Sequence, residues 1–96
     1  MADSFFEFVP EGAHQQDATI SSATTLTKPS SGAAKLLIQA VDQNVRFTLD
    51  GTAPTTSKGF VLKADWPPIL LHVGTGVTVK VIEETATGGV EYQWGH

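Results

Sequence analysis

The chain has 96 residues, a formal net charge of −4 and no cysteine. That length holds one domain, and the missing thiols exclude disulfides and thiolate chemistry. Lys28, Lys35, Arg46, Lys58, Lys63 and Lys80 are scattered rather than clustered, so nucleic acid is not an expected partner.

The apolar runs are too short to span a bilayer as helices, and no membrane partner is expected. The first residues, "MADSFFEFVPEG", carry acids where a signal peptide carries a basic region, so export by that route is not expected. A domain this small gains stability from oligomerising or from docking on a partner.

Residues 1–30 read as an extended N-terminal arm or edge segment, and residues 31–96 as the folded domain. "SFFEFVPEG" is aromatic, with Pro10 and Gly12 breaking regular structure. Phe5, Phe6 and Phe8 allow two readings: they cover an open end of the same core, or they form an arm that packs on a neighbouring chain. "ATISSATTLT" is compatible with an edge strand, and "KPSSG" is a break.

From Ala33 the pattern changes. "AKLLIQAV" suits a buried strand. "VRFTL" alternates, with Val45, Phe47 and Leu49 on one face. "DQN" between them is a tight turn, so the two strands are predicted to form a hairpin. "FVLKA" is a further strand with Phe60 and Leu62 on one face. Pro67 and Pro68 cannot donate to a ladder, so "ILLHV" begins after them. "VTVKVIEE" directs Val77, Val79 and Val81 inward. "VEYQW" does the same with Val90, Tyr92 and Trp94. Short strands at this spacing, with no helical period, predict an all-β fold: a single small antiparallel β-sandwich or barrel.

Chemistry-bearing residues are sparse. His14, His72 and His96 lack metal-ligand spacing, and no Ser lies in a nucleophile-elbow context. Glu83 and Glu84 read as solvated strand-end charges on opposite faces. No enzyme activity and no cofactor or metal are expected. The stretch "FTLDGTAPTTSKGF" is the most site-like. Asp50-Gly51 suits a turn with positive φ, Pro54 pins the loop and Gly59 closes it. With one carboxylate it falls short of a calcium loop. Its threonines and Ser57 suit backbone capping. Trp66, before two prolines, is a candidate contact or sugar platform, whereas Trp94 belongs to the core.

The run Phe-Thr-Leu-Asp-Gly-Thr-Ala-Pro-Thr resembles a hairpin of the immunoglobulin-like domains appended to chitobiases. The longer stretch "AAKLLIQAVDQNVRFTLDGTAPTTSKGFVLKA", followed by a post-proline strand, "VKVIEE" and "VEYQW", resembles small β-sandwich virion proteins of tailed bacteriophages. That resemblance implies a non-enzymatic capsid decoration (cement) protein on the virion surface. Its implied partners are the major capsid protein and further copies of itself, as a dimer or trimer. Candidate contacts are Phe5, Phe6, Phe8 and Trp66. A tail or connector part, or a carbohydrate or host-surface binding module, is the alternative.

Overall fold

A computed structural model describes residues 8–30, 32–74 and 76–96; Phe5 and Phe6 lie outside the described residues. Among the described residues eight strands follow one another: β1 (Gln15–Asp17), β2 (Thr24–Leu26), β3 (Lys35–Val41), β4 (Val45–Thr48), β5 (Phe60–Leu62), β6 (Ile69–His72), β7 (Val79–Glu83) and β8 (Gly89–Gly95). They form two antiparallel four-stranded sheets, ordered β1-β8-β3-β6 and β2-β7-β4-β5. The chain is thus the expected all-β sandwich. Among the described residues no helix is long and apolar enough to cross a membrane.

Alternation builds the core. Leu36, Ile38 and Ala40 of β3 and Val90 and Trp94 of β8 meet Val45 and Phe47 of β4 and Val79 and Val81 of β7 between the sheets. Each fully buried aliphatic side chain contributes about 1.5–3 kcal/mol relative to exposure. Tyr92, Ile69 and Leu71 pack against this cluster, and Leu62 lies within it.

The predicted β3–β4 hairpin is not formed. β3 pairs with β8 and β6 in one sheet, and β4 with β7 and β5 in the other. The "DQN" turn is tight, with Asp42 at φ 71° and the Gln43 N–H donating to Val41 O at 2.8 Å. It lifts the chain out of one layer and into the other, because both flanking strands must turn an apolar face to the same interior. Of the consecutive strands, only β4 and β5 are neighbours in a sheet.

Residues 15–26 supply an edge strand to each sheet, and Ile20 and Leu26 enter the common core. The composition change near Pro29 is therefore no break in the core. Upstream, Val9 and His96 exchange backbone hydrogen bonds (2.8 and 3.0 Å), and Glu11 N–H donates to Trp94 O at 2.8 Å. Residues 9–17 thus run along β8, interrupted at Gly12 (φ 78°), with Pro10 on an edge where no ladder donor is needed.

Glu83 departs from the expected solvated strand end. It continues the inward series Val77, Val79, Val81 and is 8% exposed. Its Oε1 accepts the Gly88 N–H at 3.0 Å. Ile20 brackets the same corner, donating to Gly88 O and accepting from Glu83 N–H, both at 2.9 Å. The carboxylate is retained inside because it closes the β7–β8 connection.

Candidate binding surface

The β4–β5 connection, residues 49–59, builds an open concavity. Asp50 Oδ1 accepts the Thr52 N–H at 3.0 Å, and Gly51 takes φ 87°. This is the Asx-type turn that an Asp-Gly pair favours. Thr48 Oγ1 donates to Thr52 O, tying the turn to the end of β4. Thr55 and Lys58 exchange backbone bonds at 3.0 and 3.2 Å, and Thr55 Oγ1 accepts the Ser57 N–H at 3.3 Å. Pro54 is buried.

Gly59 sits at φ 129°, where a Cβ would lie 3.0 Å from Phe47 O, so the chain here passes too close for a side chain. Arg46 Nη1 donates to Gly59 O at 3.0 Å, fixing the exit of the loop.

Between the turn and the start of β5 lies a groove of about 550 Å³, lined by Phe47, Leu49, Asp50, Thr52, Lys58 and Phe60, among others. Phe60 is directly opposite Phe47 in the ladder, with ring centroids 5.5 Å apart and planes tilted 42°. Phe60 shares a face with Leu62, as the alternation predicts, and that face is the inward one. Standing at the end of an edge strand, however, it is 64% exposed. The Thr52 backbone N–H, then its hydroxyl, hold the Asp50 carboxyl below the usual range, with Lys58 adding a smaller pull. Asp50 is therefore anionic beside the groove near neutral pH.

The structure unites Asp50, Gly51, Pro54 and Gly59 in this one loop. It does not bring Trp66 to them. The β4–β5 connection leaves one end of the sandwich, and the β5–β6 connection carrying Trp66 leaves the other. Trp66 is 45% exposed, and its carbonyl accepts from Gln39 Nε2 at 3.5 Å. Trp94 is core, as expected, and its buried Nε1 meets no acceptor among the described residues. Phe8 stands against Gly95, where an added Cβ would come within 2.5 Å of its ring.

Charged groups that the sequence left single are paired. Arg46 Nε meets Glu84 Oε2 at 2.9 Å. His14 Nε2 lies 2.6 Å from Glu91 Oε1, and His96 Nδ1 lies 3.0 Å from Glu11 Oε1. Ser30 Oγ also donates to Glu11. His72 is exposed at the end of β6. Among the described residues no group of three or more His, Asp or Glu is placed to hold a metal ion. The arrangement offers an apolar groove with Asp50 and Lys58 on its rim.

No family model, curated protein or solved structure matches the chain.

Proposed function

We propose that the protein is a capsid decoration protein, a non-enzymatic sandwich that binds the exterior of a phage head and reinforces contacts between capsid subunits. The observation that carries this reading is Phe60. A large apolar ring stands 64% exposed beside a groove lined by the Asp50 turn and Gly59. An apolar side chain of a capsid subunit seated there gains about 25 cal/mol for each Å² of apolar surface removed from water. Phe8 lies at the same end of the sandwich as the groove, near the end of β8. The resemblance of residues 33–96 to virion sandwiches supports the setting. Several weak contacts made by one oligomer then hold neighbouring subunits by avidity.

Cryo-electron microscopy of particles from cells carrying the gene tests this. Sandwich-shaped density on the head exterior, touching two or more capsid subunits, is expected. Density at the tail, or none on the particle, overturns it.

A carbohydrate-binding reading draws on the same exposed rings. Because Trp66 and the Asp50 loop occupy opposite ends, it must use one of them alone. Glycan binding lost in Phe60→Ala but kept in Trp66→Ala, or the reverse, identifies which.

A further inference from the structure

The geometry points to β6 as a homodimer seam, pairing antiparallel with β6 of a second copy about a two-fold axis through Leu71. β6 is the outermost strand of its sheet, with β3 as its neighbour among the described residues. Its register with β3 sets Leu71 opposite Leu36 and Leu70 opposite Leu37. Val73, next in that register, donates its N–H to Ala34 O at 2.6 Å. Pairs alternate along an antiparallel ladder, so Leu71 and Ile69 bond to β3, while Leu70 and His72 turn N–H and C=O outward. No backbone hydrogen bond of the described residues uses these outward groups.

Two features select the register. A pairing centred on Leu71 sets Leu70 against His72 of the second copy, and His72 against its Leu70. Both outward donors and both outward acceptors of each copy are then used. Centring on Leu70 would place His72 opposite Pro68, which has no N–H. Centring on His72 would place Leu70 opposite Gly74, whose carbonyl already accepts Lys28 Nζ at 2.7 Å.

The chemistry of the edge favours another copy over a charged partner. From Trp66 to Thr78 the sequence carries no Asp, Glu, Lys or Arg. Two such edges meet without opposing charges, although each chain carries net −4. The other edges are short and mostly guarded. β1, β2 and β5 have three residues each, β1 ends on Asp17 and continues the Pro10 segment, and β5 lies between Lys58 and Lys63. Ile69 and Leu71, which pack only partly against the core, gain cover in the pairing.

This inference concerns the isolated chain and stands or falls independently of the virion reading. The test is sedimentation velocity with residue-resolved amide exchange on the full chain at about 100 μM, a hundredfold above a micromolar Kd. A dimer is expected, and Leu70 and His72 amides should exchange at least about tenfold more slowly than at a concentration where the chain is monomeric. Leu70→Lys, which changes an outer-face side chain beside the axis, should give a folded monomer by circular dichroism. Val61→Lys on the β5 edge should leave the dimer intact. A monomeric wild type, a dimer with unprotected Leu70 and His72 amides, or a dimer equally lost in Val61→Lys overturns the seam. Should Leu70→Lys fail to fold, wild-type exchange at the two amides decides alone.

Discussion

Arg46 and Glu84 form a 2.9 Å ion pair on the outer face of the second sheet, and the same guanidinium donates to Gly59 O at 3.0 Å. One side chain thus links the end of β7, the middle of β4 and the exit of the groove loop. Arg46→Ala removes all of these contacts and should lower Tm by about 4–8 °C, the shift that 1 kcal/mol produces in a domain of this size. Arg46→Lys keeps a charge near Glu84 without the planar fork, so it should fall between the two. Thermal unfolding by circular dichroism measures both.

Acid should weaken the fold through three carboxylates. Asn44 and then Arg46 hold Glu84 below the usual range. Ser30 and then His96 do so for Glu11, and the Thr52 backbone N–H for Asp50. A carboxyl whose pKa is depressed by folding stabilises the native state at pH values above its unfolded pKa. That contribution is lost as pH falls through the folded value. Urea midpoints should therefore be insensitive to these groups above about pH 5 and decline progressively below it. Glu84→Gln should flatten part of that decline.

Glu83 should respond differently to two substitutions. Glu83→Gln keeps an oxygen for the Gly88 N–H and should be nearly neutral. Glu83→Ala strands that donor in a buried corner and should cost about 1–3 kcal/mol. Chemical denaturation of the two variants separates them.

Gly59 constrains the groove. Gly59→Ala places a methyl 3.0 Å from Phe47 O at a φ of 129°, so it should destabilise by about 1–3 kcal/mol. The displaced loop should also alter the environment of Phe60, read as chemical-shift changes across residues 47–60. Gly76, where a Cβ meets nothing within 4 Å, is the control position.

The alternating strands were legible because Val79, Val81, Val90 and Trp94 obey a period of two, and Pro67-Pro68 marked where β6 begins. The Asp50-Gly51 turn was legible because only a few residue types accept a φ near 87°. The partner of each strand was not. "DQN" reads equally as a hairpin turn or as a step between layers, and burial on both flanks decides for the step. Glu83 departs from the strand-end expectation because the inward phase it inherits from Val81 outweighs its charge. The Gly88 N–H that satisfies it lies in a connection with no hydropathy signal. Phe60 shares a face with Leu62, as the alternation predicts, yet it is largely exposed. Its exposure follows from β5 being a three-residue edge strand, which no local pattern reveals.

The proposed reinforcement of a phage head is tested most directly by the temperature at which heads open. Heads lacking the chain should release their contents at a lower temperature than complete heads. Adding the purified protein should restore the difference, and Phe60→Ala should restore it incompletely. Equal opening temperatures with and without the chain would contradict the account.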